Sequence, residues 1–248
     1  MKAPAEYAAD VEQHPVLPKG DCERVSGYGV MGLPFVSGHV LGLRRWTASS
    51  VGERFTSIWH RNPEGLWTFY ESAPCPVACS RYFGNDVERF VEGPISLKWE
   101  APNRLRVLTD DGAVDWTVEA GATFRTLMVS GVASLLPLAA WRSSPVLKAM
   151  GAVAGRLLGV GRVQLTGTTS NDQHFDANPM RIWYVTDSHA VVEGEDLGPI
   201  GALEEQAHMA DFFLRGMLAV GRVFISAHEP RTPRSAEEPT AGGRPRSG

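Results

Sequence analysis

The sequence lacks most of what would announce a nucleic-acid binder, a disulfide-rich secreted domain or a membrane protein. Its 24 lysines and arginines are outnumbered by 28 aspartates and glutamates, for a formal charge of −4. No basic stripe with interleaved aromatics appears, which removes the electrostatic footprint of a nucleic-acid partner. Three cysteines, Cys22, Cys75 and Cys79, are too few for a disulfide framework. No apolar run reaches the ~20 residues that span a bilayer. Met1-Lys2-Ala3-Pro4 opens a polar segment without the apolar stretch of a secretory leader, so the expected compartment is cytoplasmic.

Chemical motifs are equally scarce. Gly27-Tyr-Gly-Val-Met-Gly32 satisfies G-x-G-x-x-G literally, but the polar Asp21–Ser26 before it and Leu33-Pro34 after it supply neither the strand nor the helix that a dinucleotide needs. Cys75-Pro-Val-Ala-Cys79 has three residues between its thiols and no second Cys/His pair at zinc spacing. The oxygen-rich Asn171–Asn178 lacks the spacing and terminal Glu of a calcium loop and reads as a polar hairpin loop. There is no G-x-S-x-G elbow. Neither a metal nor a cofactor is expected.

What is present points to antiparallel β structure. Phe55–Glu71 is a pair of aromatic strands around Asn62-Pro63-Glu64-Gly65. Asn at position i, Pro at i+1 and Gly at the left-handed position mark a type I turn with a one-residue bulge. That turn pairs Arg61 with Trp67, Trp59 with Phe69 and Ser57 with Glu71 on one face. His60–Thr68, Ile58–Tyr70 and Thr56–Ser72 fall on the other, a mixed polar and apolar surface. A three-stranded meander follows over Ile95–Glu100, Arg104–Asp110 and Ala113–Glu119, with Asp111-Gly112 as a hairpin signal. Leu97, Trp99, Leu105, Val107, Val114, Trp116 and Val118 share one side; Asp115 lies on the charged side.

From Leu127 to Gly161 the period becomes helical. Gly151, Gly155 and Gly159 recur every fourth residue, which lets another backbone approach closely. Pro137, Arg142, Lys148 and Arg156 interrupt the apolar runs, and a helical pair packed on the sheet is preferred to a membrane-touching hairpin. Beyond it, strands are expected over Gly161–Thr168, Met180–Thr186, Ala190–Gly194 and Gly221–Ser226, with a turn at Thr186–His189 and a helix over Leu203–Phe213. The organisation is a polar segment 1–24, a single β-rich domain 25–228 with a helical insert 128–159, and a disordered tail 229–248.

Gly65–Glu119, roughly a quarter of the chain, resembles the acetoacetate decarboxylase-like superfamily. The shared order is an aromatic strand (Leu66–Glu71), a turn and short helix (Pro74–Phe83), Gly84 and a β meander. The resemblance implies an α+β, β-rich fold: an antiparallel, cone-like β-barrel or meander with packed outer helices in a single domain. It also implies an interior pocket for small keto or carboxylic acids. Decarboxylases of this superfamily attack the substrate ketone with a lysine, in a Lys-Lys pair just before the glycine. Here Arg81-Tyr82-Phe83 precedes Gly84, the next lysine downstream is Lys98, and upstream there is none until Lys19. Arginine stays protonated and cannot form the Schiff base, so the resemblance supplies a pocket without that reaction. The superfamily's carboxylate-binding arginine would fall near Gly38-His39, with Arg44 or Arg45 as substitutes.

The expected function is therefore a small-molecule-binding barrel for a hydrophobic or carboxylate/keto ligand. Ile58, His60 and Tyr70 would line its pocket, with Glu71 and His39 beside them and Arg81 pairing the ligand's anion. The alternative is an enzyme without covalent catalysis, a lyase, hydratase or cyclase, using His60 or Tyr82 as general acid or base and Arg81 as a clamp.

Overall fold

The computed structural model describes residues 2–137, 139–202 and 215–227. The helix expected over Leu203–Phe213 and the tail 229–248 lie outside the described residues. Helix α1 (Pro4–Gln13) precedes four strands, β1 (Glu23–Pro34), β2 (Val40–Ser49), β3 (Phe55–Arg61) and β4 (Trp67–Glu71). A 3₁₀ turn, Cys75–Val77, and the short α2 (Ser80–Phe83) lead to β5 (Arg89–Glu92) and the meander β6 (Ile95–Ala101), β7 (Arg104–Thr109) and β8 (Val114–Gly121). Helices α3 (Phe124–Leu135) and α4 (Ser144–Leu158) follow, then β9 (Thr166–Thr168), β10 (Gln173–Val192), β11 (Glu195–Asp196) and β12 (Met217–Ala227).

All twelve strands belong to one sheet, ordered β5-β4-β3-β2-β1-β12-β10-β8-β7-β6, with β9 and β11 added onto β10. Only the β4–β5 pair is parallel among the described residues. The fold is thus sheet-rich α+β in a single domain. The hydrogen-bonded path does not close on itself, yet its two ends are joined through Gly93-Pro94. Gly93 donates to Glu71 O and Asp110 donates to Pro94 O, both at 3.0 Å.

The bulged turn sets the register of β3 and β4. Gly65 is left-handed at φ 91°, and the pairs are Arg61–Trp67, His60–Thr68, Trp59–Phe69, Ile58–Tyr70 and Ser57–Glu71. The meander is likewise as expected, and Asp115 lies outward with its carboxylate held by Arg106 at 2.7 Å. Elsewhere the chain departs from expectation. Strand β1 runs straight through the G-x-G, because glycine is required where β1 crosses β2. A Cβ on Gly27 would sit 1.9 Å from Arg45 O, and one on Gly29 2.0 Å from Leu43 O. The expected turn at Thr186–His189 is instead a register shift inside the 20-residue β10. Thr186, Asp187 and His189 lie exposed, Ser188 is buried and accepts from Trp116 Nε1 at 2.9 Å, and a bulge accommodates the segment within the strand. The chain reverses after β10, at Glu193-Gly194, where both residues have positive φ. The N-terminal segment expected only to be polar forms α1, with Ala8 only 1% exposed.

One face of the curled sheet encloses the main core. Ile58, Tyr70, Leu43 and Val30 from one half meet Trp116, Leu105, Val107 and Trp183 from the other. The helical insert packs on the opposite face. Helix α3 is capped by the Thr123 side chain, which accepts from Thr126 N. The small stripe of α4 accepts returning backbone: a Cβ on Gly151 would lie 2.3 Å from Val163 O, and one on Gly155 2.3 Å from Gly161 O. Gly159 ends the helix at φ 64°. Among the described residues no helix is long and apolar enough to cross a membrane.

Candidate functional site

Strand alternation assigns the two faces different roles. On the face opposite the main core, β2, β3 and β4 align Arg44 with Ser57 and Ser57 with Glu71, one residue from each strand. Next to that row, Trp59 and Phe69 stack with ring centroids 4.5 Å apart. Helices α3 and α4 roof this face, and between roof and sheet lies a cavity of about 540 Å³. Trp59, Tyr82 and Phe83 close one side; Met128 and Val132 of α3 and Ala154 of α4 form part of the roof. Its polar lining includes Arg44, Arg222 and Asn178, and no carboxylate or lysine lines it among the described residues.

Arg44 is the unusual group. Its Nη1 donates to Val30 O at 2.6 Å and Leu43 O at 2.9 Å, and the guanidinium lies 4.7 Å from the Trp59 ring centroid. Burial pushes its pKa down to about 10, with the Cys79 side chain opposing. A cation so desolvated is strongly favoured by a nearby anion.

Behind Arg44, the Glu71 carboxylate is buried and well satisfied. Ser57 Oγ donates to it at 3.0 Å, Ser80 N at 3.1 Å and Ser80 Oγ at 2.5 Å. Desolvation raises its pKa, and these hydrogen bonds act in the opposite direction. Ser57 in turn accepts from Trp59 Nε1 at 2.9 Å, so Glu71 sets the orientation of the indole beside the cavity. Burial, aided by the Glu71 charge, pushes the Cys79 thiol up to about 12. It is therefore protonated and not a nucleophile at neutral pH.

The residues singled out from sequence separate into three places. Ile58 and Tyr70 point to the packed core side, where Trp116, Leu105 and their neighbours fill the space a pocket would occupy. His39 and His60 do come together: their rings are parallel within 1°, with His39 Nδ1 2.8 Å from His60 Nε2, and both are buried. Burial first, and His39 second, push His60 down to about 4. The pair sits near the Glu193-Gly194 turn. His39 Nε2 is 3.5 Å from Glu195, and Tyr70 donates to Glu193 at 3.2 Å; Glu193 is itself paired with Arg89.

Arg81 is on α2, half-exposed, and does not line the cavity. Its Nη2 meets Glu23 Oε1 at 2.5 Å and its Nε meets Oε2 at 3.1 Å. Tyr82 lines the cavity with its ring but donates its hydroxyl to the same Glu23 at 2.9 Å, and burial raises its pKa. His60 and Tyr82 thus serve opposite faces of the sheet. Arg44, which sequence reasoning admitted only as a substitute, lines the cavity together with Arg222. The usable signal was Gly42-Leu43-Arg44-Arg45-Trp46, where alternation puts one arginine on each face; Arg45 meets Glu12 of α1 at 2.7 and 2.9 Å. Among the described residues no three His, Cys, Asp or Glu side chains converge as a metal site.

No family model matches the sequence, and no curated protein matches it. Among solved structures, acetoacetate decarboxylase from Legionella pneumophila subsp. pneumophila str. Philadelphia 1 is similar at a TM-score of 0.40 and 12% identity. The match covers 89% of this chain and 93% of that one. It is a distant likeness at the level of the fold.

Proposed function

We propose that the protein binds a hydrophobic molecule with a carboxylate or comparable anionic end in the cavity beneath α3 and α4. The observation that carries this reading is the lining: an apolar chamber of about 540 Å³ with two arginines and, among the described residues, no carboxylate. That size is typical of small-molecule sites, in which few polar groups fix orientation on an apolar wall. Arg44 faces the anion, Trp59 and Phe83 pack its neighbouring carbons, and the helices cover the apolar remainder. No lysine lines the chamber among the described residues, so the reading is binding without imine chemistry.

Displacement of a fluorescent long-chain fatty acid tests it. Unlabelled long-chain acids should compete well, their methyl esters poorly. Filling the roof with Ala154→Phe should abolish binding while the protein stays folded by circular dichroism. Absence of binding by any acid, or undiminished binding to the folded Ala154→Phe protein, would overturn the assignment.

A further inference from the structure

Helix α3 is amphipathic in the wrong sense for a helix lying on a soluble domain. Its buried side carries Thr126 and Ser130, at 0% and 2% exposure, and Ser130 Oγ accepts from Ile182 N at 3.1 Å. Its solvent side carries Phe124, Leu127, Met128, Val132 and Leu135, at helical spacing, with Phe124 79% and Leu135 85% exposed. Val146 and Val153 of α4 extend the apolar surface. An exposed stripe of this kind marks an interaction surface.

Charge identifies the partner. Between Glu119 and Asp172 the sequence has no acidic residue and five basic ones: Arg125, Arg142, Lys148, Arg156 and Arg162. All five are exposed. The chain as a whole carries −4, so this segment holds +5 and the remainder −9. A segment that combines exposed apolar side chains with exposed cations and has no carboxylate in its own sequence matches an anionic phospholipid surface. The cavity adds continuity: Met128, Val132 and Val153 line it and also reach solvent, so its apolar wall runs out between the helices onto the same stripe.

We infer that the α3–α4 face docks peripherally on an anionic bilayer, with Phe124 and Leu135 inserted at the headgroup–acyl boundary and the cavity mouth turned toward the lipid. This surface goes beyond the proposed ligand pocket, and docking requires no ligand in it.

Co-sedimentation of the full chain with vesicles tests the inference. The protein should pellet with phosphatidylglycerol-containing vesicles, remain in solution with pure phosphatidylcholine, and be released by high salt. Removing two cations with Arg125→Gln and Lys148→Gln should lower the partition coefficient about thirty-fold. The Phe124→Glu, Leu135→Glu protein, checked for folding by its melting curve, should not pellet. In a Phe124→Trp protein, brominated acyl chains should quench the new indole. The cavity-filled Ala154→Phe protein should still dock, which separates failure of this inference from failure of the pocket. No pelleting with anionic vesicles, pelleting unchanged in the Phe124→Glu, Leu135→Glu protein, or a solution dimer that those substitutions dissociate without any vesicle binding would each overturn it.

Discussion

Replacing Arg44 by Met separates charge recognition from packing at the cavity. In the unliganded protein two effects oppose each other. Desolvation that lowers the pKa to about 10 penalises the charged form by about 3 kcal/mol, and Met relieves it. Met also loses the hydrogen bonds to Val30 O and Leu43 O and the contact with Trp59, worth a similar total. The unliganded variant should therefore melt within a few degrees of wild type. With ligand the two proteins diverge. Dodecanoic acid at about a hundred times its Kd should stabilise wild type by about 2.7 kcal/mol, a rise of roughly 5–11 °C for a domain of this size. Loss of a charged hydrogen bond costs about 1.5–3 kcal/mol, so Kd rises roughly 12- to 150-fold. At the same concentration the variant should then gain only about 0.3–1.3 kcal/mol. Dodecanol, with the same chain and no charge, should shift both proteins equally. Differential scanning fluorimetry with the four combinations is sufficient. If the acid shifts Arg44→Met as much as wild type, or the alcohol effect falls in parallel, Arg44 does not read the anion.

Two further outcomes follow from groups away from the cavity. His60 titrates near 4 when folded and near 6.5 when unfolded. As pH falls from 6.5 the unfolded chain takes a proton that the folded one refuses, so stability should drop toward pH 4 by up to about 3 kcal/mol. In His60→Gln that part of the slope should disappear from urea titrations at stepped pH, and an unchanged slope would refute it. At Gly151 an added methyl would lie 2.3 Å from Val163 O. Gly151→Ala should destabilise by roughly 1–3 kcal/mol from overpacking, although alanine favours a helix by about 1 kcal/mol; a higher urea midpoint would show that the returning backbone yields freely.

The parts legible in the sequence were those set by local chemistry. Asn62–Gly65 dictated its own bulge and through it the β3–β4 register, and the alternation in 95–119 separated Trp116 from Asp115. The site was harder to read because alternation names two faces without saying which one encloses empty space. Ile58 and Tyr70 looked like pocket wall, but strands distant in sequence fill their side. Arg44 and Arg45 stood as equal substitutes for the ligand's arginine, because the helices that cover the Arg44 face, α3 and α4, come more than 75 residues later. Strand β10 was shortened and split because the polar Asn171–Asn178 reads as a loop and Thr186–His189 as a turn, and it contains Pro179 and Asp187. In the sheet each falls at a register shift, where a ladder tolerates such residues. Helix α1 escaped notice because its fully buried residues are a proline and an alanine, Pro4 and Ala8, and make no apolar stripe.

The strand order bears on how the chain can be made. Strands β1 to β8 are synthesised first, yet β1 and β8 are not neighbours, for β12 and β10 lie between them. Until those two emerge, the nascent chain holds two partial sheets, each with an unpaired inner edge and an apolar face. Such edges invite pairing with other chains. Completion is a late, non-local event in which β10 bridges β8 and β12. A ribosome stalled before β12 would thus present this protein in its most aggregation-prone form, and shielding of those two edges by a holding chaperone would matter most in that interval.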